Sequence, residues 1–276
     1  MKNLYHKFSK KKEEQSTQTV DKPKEVAQIL EEQIETGLKE FNRSNFGLFI
    51  SSFAAGLEIG FSILFMSTIF TTFHDQLNPE LMKMYLAMCY PIGFIFVIIG
   101  RSELFTEHTA LAILPVLNKS VSLKDLFILW GLVYLGNVTG GFLFSILLVN
   151  IGPSVGFANN ESFYWLSHKL IDHDWSVIFF SALLAGWMMG LLGWLVTSSQ
   201  ETISRIIVII LVTFIIGLAG LHHCIVGSIE VFAGMLVSDE INFGDYLEFQ
   251  VWASIGNAIG GAVFVAILKY SHVKAQ

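Results

Sequence analysis

Gly136-Asn137-Val138-Thr139-Gly140-Gly141-Phe142-Leu143-Phe144 recurs 120 residues later as Gly256-Asn257-Ala258-Ile259-Gly260-Gly261-Ala262-Val263-Phe264. A looser echo links Ala55-Gly56-Leu57-Glu58-Ile59-Gly60 to Ala185-Gly186-Trp187-Met188-Met189-Gly190. Between these anchors each half carries one polar knot in apolar sequence: Glu103-Leu104-Phe105-Thr106-Glu107-His108-Thr109, then His222-His223-Cys224. Duplicated membrane halves, each with a polar break, are how many channels and transporters line a path.

Composition agrees. The 276 residues are 53% hydrophobic and 14% charged, where soluble domains run near a quarter charged. A net charge of −6 without a basic stripe excludes a nucleic-acid partner. Cys89 and Cys224 fall in apolar segments and read as small buried hydrophobes, with no disulfide framework. No cleavable signal peptide is read. Without a nucleophile elbow, phosphate-cradling loop or paired-carboxylate signature, an enzyme reading has no support, and no cofactor is implied.

Three regions are expected: a cytoplasmic tail at 1–44, a transmembrane domain at 45–270 and a cytoplasmic tail at 271–276. Nine of the 17 Lys/Arg and eight of the 23 Asp/Glu precede Asn45. Lys10-Lys11-Lys12-Glu13-Glu14 reads as disordered. Val26, Leu30, Ile34, Leu38 and Phe41 predict an amphipathic helix on the membrane surface or against the bundle; a solvated tether is the bland alternative.

Six segments can span about 30 Å of hydrocarbon, near 46–73, 81–117, 123–150, 174–197, 203–237 and 246–270. The second and fifth are too long for one crossing and hold the polar knots, so each is read as two half-helices broken near midplane. Lys119, Lys124, Arg205, Lys269 and Lys274 fall on the side of the lysine-rich tail, against Lys83 and Lys169 on the other. Both termini are therefore expected in the cytoplasm. Three helices per half is odd, which makes the duplication an inverted repeat.

Asn137 and Asn257 are read as structural glue, their amides bonding a neighbouring broken helix. Arg101 and Glu103 are expected to form a structural ion pair. Thr106 presents a hydroxyl or freed amide at the break, and the half-helix start near Glu107 favours an anion, which Glu107 itself opposes. Of His222 and His223, about 100° apart on a helix, His223 is the favoured lumenal residue. Metal binding is not expected, because no Cys/His spacing supports it. Glu58 and Glu230 read as structurally paired acids.

Glu103-Leu104-Phe105-Thr106 resembles the acidic-Leu-Phe-Thr motif of formate/nitrite transporters. His223 resembles the central histidine of that family, and Gly136-Asn137 and Gly256-Asn257 resemble its Gly-Asn turns. The resemblance runs from about Ser44 to Lys269. It implies an aquaporin-like all-α fold of six helices, a homopentamer in the bacterial inner membrane, and passage of formate, nitrite or hydrosulfide, sometimes with protons. It also implies a cytoplasmic slit at Tyr90 and Phe94, central constrictions at Leu104, Phe105 and Ile216, and a mobile loop containing Thr106. The chain resembles a divergent branch, with His222 in place of glutamate, Gly227 in place of asparagine, Glu107-His108-Thr109 after Thr106, and arginine at 101.

The substrate path is therefore expected to involve His223, Thr106, His222, Glu107 and His108, with His223 supplying a proton so that a neutral acid passes Phe105 and Ile216. One rival keeps the fold and carries a neutral solute or a cation, drawn by Glu103, Glu107 and Glu230. Another is a non-transporting scaffold or sensor that uses the N-terminal helix.

Overall fold

The computed structural model describes residues 23–275, so the Lys10–Glu14 expectation lies outside the described residues. Within them the chain is helical, without a strand. Helix α1 (Val26–Phe41) is followed by α2 (Asn45–Phe73), α3 (Pro79–Cys89), α4 (Pro91–Gly100), α5 (Phe105–Leu111), α6 (Ile113–Leu117) and α7 (Leu123–Val155). The second half holds α8 (Asn160–Ile171), α9 (Trp175–Ser198), α10 (Thr202–Ala219), α11 (Cys224–Val237) and α12 (Phe243–Gly261). A π-helical turn, Ala262–Ile267, leads to α13 (Leu268–Lys274).

Small polar caps start the long helices. Ser44 accepts from the Gly47 N–H, Asn78 from Leu81, Ser122 from Asp125 and Asn159 from Ser162. Five stretches are long and apolar enough to cross a membrane: α2, α3 with α4, α7, α9 and α10. The apolar stretches Phe105–Leu117 and Cys224–Val237 are shorter.

Two helix pairs form the frame, α2 on α7 and α9 on α12. A Cβ on Gly56 would run into the Asn137 carbonyl, and one on Gly186 would run into that of Asn257. Glycine is required here because backbone lies against backbone. The shared small-residue pattern of the two halves is thus a pair of equivalent close crossings.

Helix α1 lies against the bundle. Ile29 and Leu30 are buried with Leu114, Trp194 and Ala266, and Lys24 reaches the Thr197 carbonyl at 2.7 Å. Helix α8, in the connection between α7 and α9, has no counterpart among the sequence expectations. Its sequence, NESFYWLSHKLI, is too short and mixed to read as a crossing, yet Phe163, Leu166 and Leu170 bury one face.

The two helical interruptions begin alike. Helix α4 ends in Arg101 at φ 65, ψ 34, and α10 ends in Gly220 at φ 67, ψ 35. Glycine adopts this left-handed geometry freely, whereas an L side chain costs about 1–2 kcal/mol. The first half therefore bears strain that the second avoids.

Candidate functional site

Asn137 and Asn257 hold the two interruptions in the same way. The Phe105 N–H donates to Asn137 Oδ1 at 2.8 Å, while Asn137 Nδ2 donates to the Ser52 and Glu103 carbonyls at 2.7 and 2.8 Å. The Cys224 N–H donates to Asn257 Oδ1 at 2.8 Å, while Asn257 Nδ2 donates to the Ala182 and His222 carbonyls at 2.7 and 3.0 Å. Each clamp grips the residues on either side of one position. Those positions are Leu104 in the first half and His223 in the second, both buried.

His223 caps α11, its Nδ1 accepting from the Val226 N–H at 3.3 Å. That assignment places the imidazole proton on Nε2, 2.9 Å from Thr106 Oγ1, to which it donates. The Thr106 hydroxyl proton is then free for another acceptor. Thr106 does not belong to a loop, as the resemblance implied. It lies in the first turn of α5 and is fully buried, because the Asn137 clamp already orders Phe105.

Phe94 packs on this pair, and the other expected constriction residues are buried as well. Phe94 meets the His223 ring edge-on at 5.3 Å and stacks on Tyr90 at 5.4 Å. Phe105 lies edge-on to Tyr134 at 5.1 Å, and Ile216 is fully buried. A cavity of about 730 Å³ opens beside the other end of α4, lined by Ile98, Arg101, Glu103, Glu107 and the α1 residues Lys39 and Glu40. Tyr90 and Phe94 therefore stand towards the opposite end of α4 from the α1-lined cavity.

The expected Arg101–Glu103 ion pair is absent from the described residues. Glu103 Oε1 is bonded by Arg43 Nη1 at 2.5 Å, and Glu103 Oε2 lies 2.6 Å from His108 Nε2. Both Arg101 and Glu103 line the cavity, but both Glu103 oxygens are already taken, by Arg43 from the α1–α2 junction and by His108. Burial works against the Arg43 charge, but Glu40 and Glu103 outweigh it and hold the guanidinium above its ordinary pKa. Sequence reasoning misses Arg43 because it places that residue in the tail. Glu40, Glu103 and His108 bring ligand-type atoms within 4.8 Å of one another. Arg43 already spans the two carboxylates, so this group is an ion-pair network.

His222 is spent on the frame. Its Nε2 faces the Leu170 carbonyl at 3.1 Å, and Ser181 Oγ accepts its N–H at 3.1 Å and bonds its Nδ1 at 2.8 Å. Ser181→Ala should lower stability by about 1–3 kcal/mol, the cost of orphaning buried groups, without changing any transport pH profile. Thermal unfolding in detergent, paired with uptake assays, checks both halves of that expectation.

Glu230 lies 4.0 Å from Lys169, an ion pair at the limit of contact. Glu58 Oε2 is buried without a hydrogen-bond partner. Gly227 lies against the Phe249 ring, which occupies the space that a side chain such as asparagine would need.

A helical membrane bundle whose two interruptions meet at a buried Thr–His pair is the arrangement of a channel or transporter. The Formate/nitrite transporter family model matches residues 27–271, and the chain belongs to that family. It is 29% identical over 255 residues to the inner membrane protein YfdC of Escherichia coli (strain K12), covering 91% of this chain and 80% of that one. Among solved structures it resembles an FNT family ion channel, with a TM-score of 0.80 and 20% identity, over 89% of this chain and 99% of the other. A pentameric formate channel with formate bound gives a TM-score of 0.72 and 22% identity, over 84% and 98%. At these identities the structural likeness speaks for the fold.

Proposed function

We propose that this protein passes small monovalent anions of weak acids, of the formate, nitrite or hydrosulfide kind, across a bacterial inner membrane with proton linkage through His223. The observation that carries the reading is the 2.9 Å contact between Thr106 Oγ1 and His223 Nε2, which joins the two interruptions across 117 residues of sequence. An anion cannot cross an apolar constriction cheaply as a charge. Held by the Thr106 hydroxyl, it is neutralised when a proton enters His223 at Nδ1, displacing the Val226 N–H from that nitrogen, while the Nε2 proton passes to Thr106 Oγ1 and the Thr106 hydroxyl proton passes to the anion. The neutral acid then passes Leu104, Phe105 and Ile216.

In this reading α3 to α6 make one interrupted crossing, α10 with α11 another, and α12 with its π-helical continuation the sixth, beside α2, α7 and α9, in two inverted repeats. The transmembrane domain covers 45–270, between tails at 1–44 and 271–276. The lysine distribution supports cytoplasmic termini, so Tyr90 and Phe94 face outward. The likeness in fold to a pentameric formate channel with formate bound supports a homopentamer and a formate-like cargo. Glu107 and His108 flank the path, and His222 braces it.

Thr106→Val tests the pair. Formate uptake into proteoliposomes should fall at least tenfold, and Thr106→Ser should restore it, because only the hydroxyl is at issue. Full uptake by Thr106→Val would remove Thr106 from the mechanism.

A further inference from the structure

Trp130, Tyr134 and Asn137 follow one another along one face of α7, at i, i+4 and i+7, and all three engage α5. Asn137 takes the Phe105 N–H at 2.8 Å, and Trp130 Nε1 donates to the His108 carbonyl at 3.1 Å. Both rings meet the Phe105 ring edge-on, Tyr134 at 5.1 Å and Trp130 at 6.2 Å. Phe105 is thus held at its backbone and on its ring from a single helix face.

The second half builds the same face differently. Gln250, Ser254 and Asn257 stand 120 residues after Trp130, Tyr134 and Asn137, and the residue that Asn257 receives is Cys224. Two rings on α7 accompany a bulky side chain at 105, where two ringless side chains on α12 accompany a small one at 224. Tyr134 is itself tied across to α12. Its hydroxyl accepts from Gln250 Nε2 at 2.6 Å and from Ser254 Oγ at 3.1 Å, so the ring behind Phe105 swings away only by breaking two hydrogen bonds. With its backbone fixed, Phe105 changes rotamer only by giving up both aromatic contacts. Of the three central constriction residues, only Phe105 keeps exposed surface, 6% against 0% for Leu104 and Ile216.

We propose that Tyr134 is a specificity-setting positioning residue: by fixing the Phe105 ring, it holds the constriction at a width that admits formate and excludes larger monocarboxylates. The inference rests on the anion-transport reading, in which the neutral acid passes Phe105, and adds to it the residue that fixes the width there.

The readout is the ratio of acetate to formate uptake in one proteoliposome preparation at fixed pH, after subtraction of protein-free vesicles. The amount of folded protein cancels in that ratio. Discrimination over one methyl group in an apolar site is worth about 10- to 200-fold, so Tyr134→Leu, which removes the brace, should raise the ratio about tenfold. Tyr134→Phe keeps the ring and should stay within about twofold of wild type. Trp130→Leu removes the more distant contact and should raise the ratio about fivefold, and it replaces Tyr134→Leu as the test should that variant fail to fold.

An unchanged ratio in Tyr134→Leu, with both rates intact or lowered in proportion, overturns the assignment in favour of a purely structural tyrosine. A shift in Tyr134→Phe as large as in Tyr134→Leu also overturns it, since the ring would not then be what fixes Phe105. Wild-type protein that takes up acetate as readily as formate does the same. If wild-type protein moves no formate, nitrite or hydrosulfide, the transport reading itself fails and this inference falls with it. An unchanged ratio in variants of a transporting protein leaves that reading standing.

Discussion

Asn257→Ala should cost the bundle about 3 kcal/mol and disorganise the His223 turn. The amide bonds the Cys224 N–H, the Ala182 carbonyl and the His222 carbonyl, all in a fully buried setting. Orphaned buried groups cost about 1–3 kcal/mol each, while side-chain hydrogen bonds measured within membranes average about 0.6 kcal/mol. Three bonds thus bracket the loss between about 2 and 9 kcal/mol. The lower part of that range is expected, because the Ala182 carbonyl lies within α9 and has the helix for a second partner. Asn137→Ala removes the equivalent bonds to Phe105, Ser52 and Glu103 and should cost a similar amount. Denaturant unfolding in mixed micelles would measure both. A loss below about 0.5 kcal/mol in either would mean that the clamp is not what holds the interruption.

His223→Asn should leave the fold intact and abolish proton linkage. Asparagine is a strong N-cap and can accept the Val226 N–H in place of Nδ1, so stability should change by less than about 1 kcal/mol. It cannot pass a proton to Thr106. Formate uptake should fall about 100-fold, the lower range for loss of a positioned acid, and its rise at acidic pH should flatten. His223→Leu should lose transport and the cap together, with about 1 kcal/mol of stability gone. Wild-type rate and pH profile in His223→Asn would leave the imidazole with a capping role alone.

Much of the frame was legible without coordinates. Local composition determines which stretches are apolar enough to cross hydrocarbon, and α2, α7 and α9 fall where apolar length placed them. The Gly-Asn repeats were legible as contact surfaces, because small residues at helical spacing leave backbone open to a neighbour. The amphipathic α1 was legible from its spacing, though not which surface it would choose. Helix α8 was not, since a 12-residue segment with both Lys169 and Glu161 carries neither a crossing signal nor a strong period.

At the site the balance reverses. By itself the sequence determined a twofold helical membrane frame and supplied two polar knots, with His223 and Thr106 in them. Only the tertiary structure decided that these two meet, that Glu103 is held by Arg43 and His108 and not by Arg101, and that His222 is tied to Ser181 and Leu170. Periodicity and propensity act over a few residues and can be read locally. A hydrogen bond between residues 117 positions apart depends on how whole helices pack, and no local pattern encodes it.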